Sequence, residues 1–307
     1  MDWLFTPLSL DFLEGWEAAI GQWVLYLSLA YLAFELVRYA VLRKLNWSLA
    51  GDTVTNFITF AAFMVITYGV FALAYISALS WAGRFAVFDI EITAATVLIA
   101  IVMADLIYYW EHRFLHRVNL GWATHTVHHS SPHFNISVAY RFGPFDGIAP
   151  LAFHLPMALL GFPVFLILFA EGVVQIYQTF LHTEAVKKLP RPVEAIMNTP
   201  SHHRVHHGSN REYLDRNYGG VFIIWDRMFG TFAEEKALVN YGLVRPINSV
   251  NPITVFLHGL TRLGAEIAAA RSIRDVFGAV FAPPDWEPRR RREADPVPAR
   301  NPARDNA

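Results

Sequence analysis

Residues 105–131 read DLIYYWEHRFLHRVNLGWATHTVHHSS, and residues 201–208 read SHHRVHHG. The first stretch sets His112 and His116 four apart and then spells H-x-x-H-H at His125, His128 and His129; the second repeats H-x-x-H-H at His203, His206 and His207. With His182, these make nine of the chain's 13 histidines. Positions three and four apart share one face of an α-helix, so each cluster is expected to point its imidazoles in a single direction. A structural zinc takes about four ligands, so this many imidazoles imply two metals. The chain has no cysteine. Thiolate and iron–sulfur chemistry are excluded, and the imidazole set leaves zinc, copper, nickel or iron open.

Outward from the first box, the apolar run Ile92 to Trp110 leads straight into His112. Two further runs precede it, Val54 to Trp81 and Trp23 to Val41. Each approaches or exceeds the roughly 20 residues that cross about 30 Å of hydrocarbon. Composition agrees: 54% of the chain is hydrophobic and 17% charged, and the mean hydropathy is +0.30. The expected fold is an all-α, polytopic membrane protein with a cytoplasmic histidine-box domain. A net charge of −1 gives no reason to invoke a nucleic acid. The acidic stretch Met1 to Trp16 has neither the basic start nor the small-residue cleavage site of a signal peptide, so the first span is expected to direct its own insertion. Arg43, Lys44, Arg113, Arg117 and Arg141 gather at one end of the spans, and the positive-inside rule places that end, with the boxes, in the cytoplasm.

The run Ile148 to Leu181 must bring His182 back to that side, so a hairpin is expected, broken at Gly161, Phe162 and Pro163. Its first arm, Ile148 to Leu160, is short for a crossing, which suggests a re-entrant or tilted pair. A helical segment from Pro252 to Phe281 suits the bilayer surface. From Pro283, with Arg289 to Arg292, a disordered tail is expected. The organisation therefore reads as N-terminal spans (1–110), the first two boxes (111–147), a membrane hairpin (148–182), a cytoplasmic part with the third box and C-terminal helix (183–282), and a tail (283–307).

Several polar residues accompany the boxes. Asp105 steps with His112 and His116, either accepting a hydrogen bond from a ligand imidazole or held by Arg113 or water. Glu171, Gln175, Gln178 and His182 form a polar stripe, which reads as interhelical bonding or as a path to a metal ending in His182, with Gln178 a further candidate. His202 either ligates or supports a neighbour. His154 and His258 read as core histidines, and His133 as surface or substrate-side. Asp215 and Asp226 are candidates to accept from a ligand's second nitrogen, Arg141 and Arg204 to meet a head group or solvent. Asn217 to Gly220 reads as a turn, and Trp225 with Phe229 as packing against the membrane-facing core.

The D-x-x-x-Y-W-x-H-R-x-x-H at Asp105 to His116, H-T-V-H-H-S-S at His125 to Ser131, S-H-H-R-V-H-H-G at Ser201 to Gly208, and N-Y-G-G with W-D-R-M-F-G-T between Asn217 and Thr231 resemble the fatty acid hydroxylase superfamily. This superfamily takes in sterol desaturases, sterol methyl oxidases, sphingolipid and fatty-acid hydroxylases and alkylglycerol monooxygenase, and the wording of the boxes is most similar to the last branch and its bacterial sterol-desaturase-like relatives. The resemblance implies a non-haem di-iron centre held by His112, His116, His125, His128, His129, His182, His203, His206 and His207. It further implies O2 as co-substrate and a lipid that enters from the bilayer and is hydroxylated. Iron is the choice that C–H activation with O2 favours, since zinc is not redox-active. The chain shows no Rossmann fingerprint, flavin motif or cytochrome domain, so electrons are expected from a separate protein or a reduced pterin. Two readings compete: desaturation at the same centre, and a histidine-lined metal transporter or sensor, which would set its ionisable ligands nearer mid-bilayer.

Overall fold

The computed structural model describes residues 2–287, and among them the chain is helical, with isolated bridges and no strand. Helix α1 (Leu10–Val41) starts where the Ser9 hydroxyl accepts from the Phe12 N–H. The acidic segment from Leu10 onward is therefore helical too, and the expected span from Trp23 is the later part of a longer rod. Asn46 caps α2 (Trp47–Ile66), which passes through a π-helical turn, Thr67–Phe71, into α3 (Ala72–Gly83). A Thr93–Thr96 capping box opens α4 (Ala94–Arg117), which runs unbroken through His112 and His116. Three segments, Glu14–Val41, Trp47–Gly83 and Ala94–Arg117, are long and apolar enough to cross a membrane, and the chain is an integral membrane protein.

The short α5 (Asn119–His125) follows α4 directly. Helices α6 (Ala149–Leu160) and α7 (Val164–Thr179) meet at Gly161, whose φ of 107° is a left-handed conformation. A Cβ at Gly161 would overlap the Phe88 carbonyl, so the turn needs glycine twice over. The core between α3, α4, α6 and α7 is built from Leu79, Ala100, Ala104, Met157, Ala158, Leu166, Ile167, Ala170 and Val174. Its alanines let the helix backbones come close, the packing device that replaces the hydrophobic effect inside a bilayer.

The remaining helices are α8 (Arg191–Ile196), α9 (Pro200–His206), α10 (Ile224–Phe229), α11 (Pro252–Ala268) and α12 (Ile273–Phe281). The single helix expected over Pro252 to Phe281 is thus two, because the chain breaks at residues 269–272 and Ser272 caps α12 by accepting from the Asp275 N–H. The tail expected from Pro283 instead begins with a turn that lays the Trp286 ring over Gly278. Its later part, with Arg289 to Arg292, lies outside the described residues.

Neither arginine expected at a head group or in solvent is there. Arg141 is buried and donates to Asp52 (3.0 Å), Asn56 (2.6 Å), the Ser130 hydroxyl and the Val127 carbonyl (2.9 Å each). Asp52 enters the bundle from α2, and a buried carboxylate needs a fully hydrogen-bonded partner. Arg141 is therefore spent inside and is no flanking charge. Arg204 is held by Glu235 through two bonds of 2.7–2.8 Å and by the Thr183 and Val186 carbonyls.

Candidate metal centre

All nine clustered histidines are buried, and they sort into two groups. His112, His116, His125, His129 and His206 form one; His128, His182, His203 and His207 form the other, and in each the ligand atoms lie within 4.8 Å of one another. Each H-x-x-H-H box is split between the groups, contrary to the expectation that a box points one way. The physical reason is local. In the second box α5 ends at His125 and the chain tightens into a 3-10 turn at His128–Ser130, where successive residues project about 120° apart. Adjacent His128 and His129 consequently enter different groups. On α9, His203 and the capping His207 are four apart and face one group, while His206, turned about 60° from His203 and about 100° from His207, faces the other.

The second nitrogen of four rings is fixed by backbone. His112 Nδ1 donates to the Tyr218 carbonyl (2.9 Å), and His128, His182 and His206 donate at 3.0 Å to the carbonyls of Arg141, Gln178 and Arg216. A carbonyl only accepts, so each Nδ1 carries the proton and each Nε2 presents a lone pair. His128 Nε2 and His182 Nε2 nonetheless stand 3.3 Å apart, and His203 Nε2 is 3.0 Å from His182 Nε2. Two lone pairs facing each other at that distance repel; a cation between them reconciles the geometry. Nitrogens each about 2.1 Å from one ion lie about 3.0 Å apart at a right angle and about 3.4 Å at the tetrahedral angle. The other group tells the same story: His112 Nε2 is 3.1 Å from His125 Nε2, and the Nε2 atoms of His116, His129 and His206 have no hydrogen-bond partner among the described residues. The donor set fits a pair of transition-metal ions.

Burial disfavours the charged form of the rings outside α4. It lowers His128 to about 4 and His206 to about 3, and holds His125, His129, His182, His203 and His207 well below the usual imidazole value. Neutral imidazole is the form that ligates a metal.

The supporting residues are placed differently from expectation. Asp105 touches no ligand imidazole, nor is it held by Arg113: it accepts from the N–H groups of Val221 and Phe222 and the Trp225 indole at 2.5–3.0 Å. Asp226 likewise accepts from Tyr218 N, Gly219 N and the Thr231 hydroxyl at 2.6–2.8 Å. The two carboxylates clamp the 217–226 loop, whose Tyr218 carbonyl fixes His112, and so act through the backbone. Asp215 stands 3.9 Å from His116 Nδ1, too far for a hydrogen bond, and pairs with Arg117 at 2.6 Å. His202 turns away from both groups to Glu194 (3.1 Å) and Thr199 (3.3 Å). Gln178 offers its carbonyl to His182 while its side chain bonds back to the Val174 carbonyl. Phe229 stacks on Tyr109, and Trp225 joins Tyr109 and Tyr218 in a small core. His154 is a buried core residue on the Pro150 carbonyl. His133 lines an open cavity of about 260 Å³ with Tyr39, Lys44 and Tyr241, and Phe134 separates it from the rings of His182, His203 and His207.

Phe134, Asp146 and Glu111 were not singled out from the sequence. Asp146 stands 4.0 Å from His125 Nδ1, and burial raises its carboxyl to about 6. The Glu111 carboxylate is buried, 4.0 Å from His154, with one oxygen unpartnered among the described residues. Its position beside His112 was a signal, because a helix residue next to an inward-facing ligand shares part of the bundle-facing arc.

Residues 97–231 match the family described as "Fatty acid hydroxylase". Human alkylglycerol monooxygenase is 42% identical over 189 residues, covering 62% of this chain and 42% of that protein. Ornithine lipid hydroxylase of Rhizobium tropici is 31% identical over 140 residues, 45% of this chain and 42% of that protein. Human lathosterol oxidase is 22% identical over 250 residues, 76% of this chain and 78% of that protein. The chain thus covers less than half the length of the first two relatives. No solved structure matches it significantly. The boxes, their two-group geometry and these relatives agree that residues 97–231 are a fatty acid hydroxylase domain.

Proposed function

We propose that this chain is a membrane-embedded monooxygenase that uses two irons and O2 to hydroxylate a lipid. The observation that carries the reading is the pair of buried Nε2 lone pairs of His128 and His182, each fixed by an Nδ1–H bond to a backbone carbonyl and facing one another at 3.3 Å, with His203 Nε2 3.0 Å from His182 and His125 Nε2 3.1 Å from the likewise fixed His112. His112, His116, His125, His129 and His206 would hold one ion, and His128, His182, His203 and His207 the other. When bound, the iron pair supplies the redox chemistry that O2 activation at an unactivated C–H bond requires.

The residues of the chain prepare that chemistry. The carbonyls of Tyr218, Arg216, Arg141 and Gln178 keep the proton on Nδ1 and aim Nε2 inward. Phe134, stacked on Tyr241, excludes water from one side. The lipid enters from the bilayer between the spans, and electrons come from a separate donor protein or a reduced pterin. Arg43, Lys44 and Arg117 favour a cytoplasmic centre. The same reading keeps the spans, boxes, hairpin and C-terminal part as the working units of the chain.

The names of the relatives support lipid oxidation: a monooxygenase of alkylglycerol, a hydroxylase of ornithine lipid and an oxidase of lathosterol. The test is metal analysis of the purified protein with mass spectrometry of lipids from cells that do and do not express it. Bound iron with O2-dependent gain of one oxygen on a lipid supports the proposal; loss of two hydrogens instead assigns desaturation. Tightly bound zinc with no lipid product and metal flux in vesicles refutes it. His128→Ala is expected to stay in the membrane and lose turnover.

A further inference from the structure

Helix α11 directs its two charges, Arg262 and Glu266, to Asn119 and leaves a stripe of large apolar residues exposed on another face. Arg262 and Glu266 both turn to the buried Asn119, Glu266 accepting at 2.6 Å, while Val255, Gly259 and Leu263 seat the helix on the bundle. The opposite side presents Ile253, Leu257 and Ile267, at positions i, i+4 and i+14 of one stripe, with Ile253 70% exposed. Helix α12 continues the pattern with exposed Ile273, Phe277 and Phe281 at i, i+4 and i+8, beside exposed Arg271 and Arg274. Water selects a polar outer face for a surface helix, not an exposed apolar stripe.

The position of the pair identifies what covers it. Helix α11 packs on α5, which follows the last residues of the α4 span, and on α2, where Val250 lies 3.1 Å from a Cβ built at Gly51 in its second turn. A methyl on Gly259 would overlap the Ala123 carbonyl, so α11 lies directly against the helix that ends in His125. Both ends of contact are thus at the level where the spans leave the hydrocarbon. Neither α11 nor α12 is among the helices long and apolar enough to cross. An outward apolar stripe at that level, edged by arginines, suits the boundary between acyl chains and anionic head groups.

We propose that α11 and α12 lie flat in the head-group layer of the membrane the spans cross, and that this docking holds α5 at the bilayer surface. The proposal rests on membrane embedding and is independent of the reaction catalysed. The absence of native cysteine allows a direct test. Single cysteines replacing Ile253, Leu257, Ile273 or Phe277 in the full chain are labelled with a nitroxide in vesicles of phosphatidylcholine and phosphatidylglycerol. Val65→Cys, on the exposed face of α2, and Lys236→Cys, on a polar loop, serve as lipid and water references. Docking predicts loss of collisions with a water-soluble nickel chelate at all four positions, as at Val65, with oxygen collisions retained. Chelate collisions equal to those at Lys236 overturn it. Spin–spin broadening between labels, which would show a second copy covering the face, also overturns it.

Discussion

His128 Nε2 lies 3.3 Å from His182 Nε2 although the Nδ1–H of each is committed to a backbone carbonyl, one of Arg141 and one of Gln178. A cation between the two lone pairs would relieve their repulsion. His182→Ala is therefore expected to lower bound metal to about half by opening the four-histidine group, while His116→Ala opens the five-histidine group. Metal content by mass spectrometry checks this. Unchanged content in both variants would remove the two-group assignment.

Asp105 holds the 217–226 loop by accepting from three donors, those of Val221 and Trp225 buried and that of Phe222 partly so. Asp105→Ala leaves those donors unpaired, each at a penalty of about 1–3 kcal/mol. A large drop in the thermal denaturation temperature in detergent is expected, with metal loss because the Tyr218 carbonyl no longer fixes His112. A variant as stable and as metal-loaded as the parent would contradict the clamp.

Gly161 combines a left-handed backbone with close approach to the Phe88 carbonyl. Gly161→Ala adds both backbone strain, of order 1–3 kcal/mol, and a steric clash. The expected result is lower yield in the membrane and faster thermal inactivation, measured side by side with Gly172→Ala on α7, where a Cβ meets open space.

Glu235 joins Ser201 and Arg204 of α9 to the loop that follows α10. Burial raises its carboxyl, but the bond and charge of Arg204 outweigh burial and hold it below the ordinary glutamate value. A carboxyl with a depressed folded-state value stabilises above its unfolded value, near 4.3, and loses that contribution as pH falls through the folded value. Acidification below about pH 4.5 is expected to loosen α9 in the parent. In Glu235→Gln that part of the pH dependence should vanish, as read from denaturation temperature against pH.

Much of the membrane architecture was legible because hydropathy is a property of runs. The stretch before His112 is apolar for long enough to cross, and Gly161 with Pro163 marks where a helix must stop. The starts of helices were less legible: the acidic segment after Leu10 joins α1 through a cap at Ser9 that no run of hydropathy reveals. Polar residues were least legible. Arg141 reads as a surface charge until Asp52, 89 positions away, is found against it.

By itself the sequence determined that this is a polytopic helical protein with eight histidines in three clusters, because apolar length and imidazole spacing are local properties. Only the tertiary structure decided which imidazoles belong together. His128 and His129 are adjacent in the chain, yet a 3-10 turn sends them to different groups, and His182 joins His203 because α7 and α9 deliver them to one place. Of the four carbonyls that hold a ring, that of Gln178 is one turn from His182, but those of Arg141, Arg216 and Tyr218 reach His128, His206 and His112 only through chain packing.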